Sequence, residues 1–566
     1  MLDKLISRFR KEEDGHPLAS EKSIAATLAD IRAEEGEGAV LDVDHWLSSA
    51  EDLAAELDGP AFRRAVVRLD EFVQAPLQAT WSAWFNAKHR LHLTDKGWQT
   101  LIDHYAAAAQ AYALCLADPQ LPALEDKTLL PRLAARAMRA MVLGKKMQRL
   151  RYRAPDPAWW GKAGQLLTWV RERGASQAQV QVYPGEEPSS VWREYLAGVY
   201  LELAPLDSML QRQIEVADAL LHRHSGALVV RAQPLGSELY CLDPMSQGPF
   251  RRDAAQTYPP SVGYIGFDGL RAQIVRVVAH LRSSRDGSVP DWLAYLHLPP
   301  AQLKDALHLL AMAWSAHAPQ RRQQRNDTRG EARAVFGFGL VRRMAACSSL
   351  ARSGRRIDYD TYLDLMRRNR FGTAEGIADV EEVAAEPEIP ADPLDLLERL
   401  EPTGKGGLIE TWQLRDISEG GIGVQLPQLQ AKHAIGRVVG YRLAGEVDWR
   451  AGIIRRLRRD PSARLLAGVE RLPGLPVCAQ VKPLQKIERG PWAELRELAG
   501  HGFTDAILLS GAQQELLLPK GTFAAEACYR LVVEGQSRNV RLATLVGQGD
   551  DYDRVAFQEI ATPDES

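Results

Sequence analysis

Apolar positions recur with a helical period through the first 320 residues and with a shorter, glycine-broken alternation through much of the rest. The clearest helical stretch is 94–116. Thr94 and Asp95 read as its cap, and Trp98, Leu101, Ile102, Tyr105, Ala109 and Tyr112 fall on one face. Residues 127–150 repeat the pattern with Leu130, Leu133, Ala134, Ala137, Met141 and Val142. Asp156-Pro157 predicts a further helix start, with proline at a favoured early position. Helical stretches follow at 188–203 and 207–222. This predicts an α-helical scaffold over 1–225. From 226 the texture changes: short strands at 227–231 and 238–242, then helices opening at Asp268 and at Pro299-Pro300, make 226–318 a mixed α/β segment. Beyond 320 the pattern turns to strands, over 435–472 and again over 505–559. The fold class read from this is α+β multidomain, a large helical N-terminal region followed by β-rich domains.

A length of 566 residues supports several domains. Lys and Arg number 70 against 73 Asp and Glu, so the formal net charge is −3, and a binder of polyanions acting through overall charge is excluded. Any grip on phosphate has to be local. Cys115, Cys241, Cys347, Cys478 and Cys528 are scattered, with no CxxC pair, which fits free thiols in a reducing compartment. The N-terminal apolar stretch is interrupted at once by charge, and no apolar run reaches the ~18 residues of a membrane span. The expectation is a cytoplasmic protein without membrane insertion.

Two local signals carry the chemistry. The first is Gln320-Arg321-Arg322-Gln323-Gln324-Arg325, within a stretch, 319–333, whose local charge is +3. Arginine offers a planar fork that grips phosphate or the O6/N7 edge of guanine at two points, and a flat face that stacks on bases. The second is Asp416-Ile-Ser418-Glu-Gly420-Gly421, which reads as strand, tight turn, strand. Its carboxylate is a natural acceptor for the N1–H and N2–H donors of guanine, and its glycines allow a ligand to approach the backbone.

In this order the two segments resemble the PilZ family of cyclic di-GMP receptors. The RxxxR motif of that family corresponds to Arg321 and Arg325, with Arg322 as the adjacent arginine, and its DxSxxG motif to Asp416, Ser418 and Gly421. A second register, Arg325 to Arg329, lacks the following arginine. The resemblance implies a six-stranded β-barrel over 319–475 with the arginine arm ahead of the first strand. It also implies cyclic di-GMP held between Arg321, Arg322 and Arg325 on one side and Asp416, Ser418 and Gly421 on the other. Residues 435–443, 451–459 and 465–472 would supply barrel strands. Ninety residues separate Arg325 from Asp416. The barrel therefore has to carry an insertion, about 341–407, with a helix-like part at 341–369, and Ala334–Phe338 is the candidate first strand. The insertion includes 375–401, with ten acidic residues against Arg399. Such a segment can compete for the arginine arm when no nucleotide is bound. Residues 476–566 remain as a C-terminal β-rich domain, in which a second barrel without motifs is one reading.

Other candidates weigh less. Lys145, Lys146, Arg149, Arg151 and Arg153 form a basic run that reads as a nucleic-acid patch or as the end of an amphipathic helix, and the helix end is favoured. His222 and His224 lack a third metal ligand nearby. Trp159, Trp160, Trp169 and Trp192 read as packing residues. The pair Asp550-Asp551 shows no partner chemistry. No nucleophile elbow, P-loop, metalloprotease or dinucleotide fingerprint appears, so nothing in the chain points to an enzyme, a catalytic cofactor or a metal. The leading expectation is a signalling receptor that couples cyclic di-GMP to a protein partner through the helical region. The alternatives are a helical interaction scaffold with a degenerate barrel and a nucleic-acid-binding protein.

Overall fold

The helical period of the N-terminal sequence is realised as twelve helices and one small sheet among the described residues. In the computed structural model these residues are 16–31, 36–86, 94–121, 126–154, 156–236, 238–245, 248–253, 255–283, 288–315, 326–353, 409–430, 432–460, 462–484, 503–511 and 514–560. They fall into two compact units divided between Gln320 and Arg321.

The first unit runs through α1 (Glu21–Ala29), α2 (Glu37–Ser48), α3 (Ala50–Glu56), α4 (Gly59–Asn86), α5 (Asp95–Leu116), α6 (Leu129–Leu150), α7 (Ala158–Glu172), α8 (Val191–Leu203) and α9 (Gln211–Arg223). Strands β1 (Val229–Arg231), β2 (Tyr240–Leu242), β3 (Phe250–Arg251) and β4 (Gly263–Gly266) then pair in the order β1-β4-β2-β3. Helices α10 (Asp268–Ser283), α11 (Asp291–Ala294) and α12 (Pro300–Ala313) complete the unit. The Thr94 hydroxyl accepts from the Gly97 amide at 3.1 Å, so the cap expected for α5 forms. One apolar core extends from Leu18 to Trp314 and takes in helices and sheet alike.

Helix α6 is the spine of that core and is unusual in burying cations. Arg136 reaches Glu71 at 2.7 Å and Asp70 at 3.7 Å, and Arg139 grips Glu194 at 2.8 Å. Lys145 sits 3.0 Å from Glu202, and Lys146 lies 2.7 Å from Asp218 and 3.0 Å from Glu215. A buried charge is tolerated only when paired, and each of these has a carboxylate from another helix. The Lys145 ammonium also stands 3.8 Å over the Trp160 ring. The basic run at 145–153 is thus largely an internal ion-pair ladder that ends α6.

The second unit contains two closed barrels of six strands each. The first is built from β5 (Asn326–Phe336), β6 (Glu410–Ser418), β7 (Gly421–Leu426), β8 (Val438–Leu443), β9 (Arg450–Arg459) and β10 (Leu465–Arg471), with α13 (Phe338–Ser353) following β5. The first strand is longer than the candidate at 334–338 and stops earlier. Gly337 turns the chain at φ +88°, so Phe338 opens α13 instead of extending the strand. The remainder of the expected helix-like stretch, 354–369, and the acidic segment 375–401 lie outside the described residues. The second barrel consists of β11 (Pro476–Pro483), β12 (Thr504–Ser510), β13 (Gln514–Pro519), β14 (Cys528–Val533), β15 (Gln536–Gln548) and β16 (Tyr552–Glu559).

The two barrels are wound identically. In each, the first strand pairs with the second and fourth, the third with the second and sixth, and the fifth with the fourth and sixth. Between them lies α13. Its Phe338, Val341, Met344 and Cys347 join Val335, Val438 and Trp449 of the first barrel and Ile507, Leu509, Leu517 and Tyr552 of the second in one apolar cluster. The Asp551 carboxylate accepts the Phe338 amide at 2.6 Å, so a residue of the second barrel caps the helix inserted in the first. Arg342 and Asp505 add an ion pair at 3.0 Å.

Candidate functional site

The residues of the DxSxxG pattern lie on the β6–β7 hairpin of the first barrel. Along β6, Trp412 and Leu414 point into the barrel, and Leu414 stands opposite Val424. The next paired residue is Asp416, opposite Gly423, which leaves Arg415 as an extra residue. This β-bulge re-aims the strand: without it Asp416 would follow Trp412 and Leu414 into the apolar interior, and with it the carboxylate joins the outer face with Gly423. Ser418, two residues on, shares that face, and its hydroxyl donates to the Gly421 carbonyl at 3.2 Å across the turn.

Both strand glycines have steric reasons. A Cβ on Gly421 would stand 2.0 Å from the Val469 carbonyl oxygen, so β10 can close against the hairpin only if this residue is glycine. A Cβ on Gly423 would stand 2.5 Å from the Asp416 carboxylate, which lies over it. Gly423 thus leaves room for the Asp416 carboxylate; sequence reasoning passed over it, and its signal was a further glycine two positions after the motif, on the same strand face.

Of the six candidate ligands, Asp416, Ser418 and Gly421 are thus gathered on one hairpin. Arg321, Arg322 and Arg325 lie outside the described residues. Arg325 is bonded to Asn326, the first residue of β5. Asn326 pairs with Ile417 and Asp327 with Asp416. The chain therefore enters the barrel from the arginine motif directly alongside Asp416 and Ser418.

At the opposite end of β6, Glu410 is held by His433 at 2.8 Å and by Lys432 at 2.7 Å. Burial works against its charge, but the bonds from His433, Lys432 and the Trp412 indole hold its carboxyl down at about 2. This cluster anchors the strand that presents Asp416.

Comparison with known proteins adds an independent observation from the other unit. Residues 22–233 match the family described as "Cyclic-di-GMP receptor FimW, N-terminal domain". The matched stretch is the helical part of the chain, α1 through β1, and does not include the barrels. Comparison with curated proteins found no match. Two closed six-stranded barrels in turn fit a PilZ-like fold.

Other candidate sites lose ground on geometry. His222 is occupied by Asp218 at 3.3 Å and Glu194 at 3.7 Å. Burial opposes its proton, but Asp218 and Glu194 push its pKa up to about 10, which is unlike a neutral metal ligand. Among the described residues no group of three or more His, Cys, Asp or Glu could hold a metal ion. A cavity of 170 Å³ in the first unit, lined by Arg171, Trp192 and Arg231 among others, falls below the ~300 Å³ at which small-molecule pockets begin. No helix among the described residues is long and apolar enough to cross a membrane.

Proposed function

We propose that this chain is a cyclic di-GMP receptor whose first barrel binds the nucleotide and whose helical unit meets a protein partner. The ligand set is Arg321, Arg322 and Arg325 from the arm, with Asp416, Ser418 and Gly421 from the β6–β7 hairpin. The observation that carries the reading is the strand register. Asn326 opposite Ile417 and Asp327 opposite Asp416 leave Arg325 one bond away from a strand already seated beside the carboxylate. Charge-assisted bonds from arginine to phosphate drive binding, guanine donors bond to the Asp416 carboxylate, and the conformational entropy lost in holding the ligand opposes it. The match of 22–233 to the N-terminal domain of a cyclic-di-GMP receptor supports the same assignment from a part of the chain that carries neither motif. The absence of catalytic motifs from the sequence fits a receptor, and the coupled output is a partner interaction.

Calorimetric titration of the full chain with cyclic di-GMP tests this. Saturable binding that Arg321→Ala and Asp416→Ala each weaken is the expected result. No heat, or binding that survives both substitutions, overturns the reading. The nucleic-acid alternative loses its first patch because Lys145 and Lys146 are buried and paired.

A further inference from the structure

The outer face next to Asp416 is bounded by a second bulge. On β9 the register against β10 slips: Arg456 stands opposite Gly468, Ile454 opposite Val469, and Arg455 is the extra residue. Arg455 and Arg456 are therefore both exposed, although consecutive residues of a regular strand point to opposite faces. Arg455 is taken by Glu470 at 2.5 Å. Arg456 is held by no ion pair among the described residues.

The registers across four strands form one row. Asp416 stands opposite Gly423, Gly423 opposite Gly468, and Gly468 opposite Arg456. In-register partners in antiparallel strands share a face. A carboxylate and a guanidinium thus look at each other across two strands that have no side chain between them. At about 4.8 Å per strand, the backbones at the two ends of the row are some three spacings apart. The Asp416 carboxylate already covers Gly423, so Gly468 is the open floor. The fold does not demand glycine at 468, since a Cβ there would meet the Arg456 Cβ at an ordinary 3.4 Å. Gly468 adjoins the β9–β10 bulge, and glycine there leaves the outer face without a side chain, open to close approach.

We propose that Arg456 is a specificity-determining residue of this nucleotide site. A guanine lies flat on Gly468, with its N1–H and N2–H donors toward Asp416 and its O6/N7 acceptor edge toward the fork of Arg456. Adenine offers an acceptor at N1 and a donor at N6, so it opposes both groups. The inference rests on the receptor reading above and adds the base-reading residue to it.

The test is calorimetry on the full chain with cyclic di-GMP and cyclic di-AMP. Arg456→Ala should weaken cyclic di-GMP by about 5- to 150-fold, the range of one bidentate base contact, and narrow the preference over cyclic di-AMP. Gly468→Val, which suits a strand and fills the floor, should remove binding while the thermal melt is retained. Arg458→Ala, an exposed arginine farther along the same strand, should change affinity less than threefold. If wild-type chain binds and Arg456→Ala binds equally well with the same preference over cyclic di-AMP, the assignment of Arg456 is overturned while the receptor reading stands. If wild-type chain gives no heat, both are overturned. Arg456 is exposed, so its variant decides the question even where Gly468→Val fails to fold.

Discussion

The two barrels share one winding and use the same face for opposite purposes. In the first, the outer face of the second and third strands carries Asp416, Ser418 and Gly423, beside the entry of the arginine motif. In the second, the corresponding face carries Ile507, Leu509 and Leu517, fully buried in the cluster that includes α13. One fold can present a polar face or bury an apolar one, and a bulge is the switch. At Arg415 it moves a carboxylate outward, whereas β11–β13 keep unbroken register and regular alternation. The second barrel acts as the seat of α13, so one winding serves two different surfaces.

The sharpest break of this comparison is Leu509→Asp, which gives the second barrel a carboxylate on the corresponding face. Leu509 is 0% exposed, so an unpaired charge there should cost about 3–5 kcal/mol and create no second nucleotide site. Chemical denaturation and calorimetry check the two halves of that statement. Asp416→Ala comes next. It should weaken cyclic di-GMP about 5- to 150-fold, leave no residual binding from the second barrel, and leave the melt unchanged. Asp551→Ala removes the cap that the second barrel gives α13 and should cost about 1 kcal/mol in unfolding experiments. The pH-dependent effect belongs to Glu410. Its folded pKa of about 2 lies below its ordinary 4.5, so its contribution is complete above pH 4.5 and is lost as pH falls toward 2. Glu410→Gln should flatten that acid limb of the first barrel's unfolding curve.

Much of this was legible along the chain. Helices α5, α6 and α12 follow their apolar stripes, and Asp416, Ser418 and Gly421 fall where a strand–turn–strand reading puts them. Strands at 451–459 and 465–472 close the first barrel almost as their alternation predicts. The first strand was misjudged because Asn326–Glu331 is polar and exposed, so no apolar alternation marks it, while Phe338 belongs to a helix. The basic run at 145–153 was legible as a helix end, and it does end α6, but its burial was not, because the carboxylate partners of Lys145 and Lys146 lie more than 50 residues away. Asp551 looked inert for the same reason: its partner, the Phe338 amide, is 213 residues distant.

The sequence by itself determined the periodicities, the turn at 418–421 and the chemistry available at Asp416 and at the arginine motif. Those depend on backbone propensity and side-chain identity, which act over a few residues. Only the tertiary structure decided which side chains share a face. The bulges at Arg415 and Arg455 exist relative to partner strands, and a one-residue slip in register sends every following side chain to the other side of the sheet. Asp416 and Arg456 face one another because β6, β7, β10 and β9 pair in that order. Pairing across such separations is set by closure of the barrel, not by any local pattern.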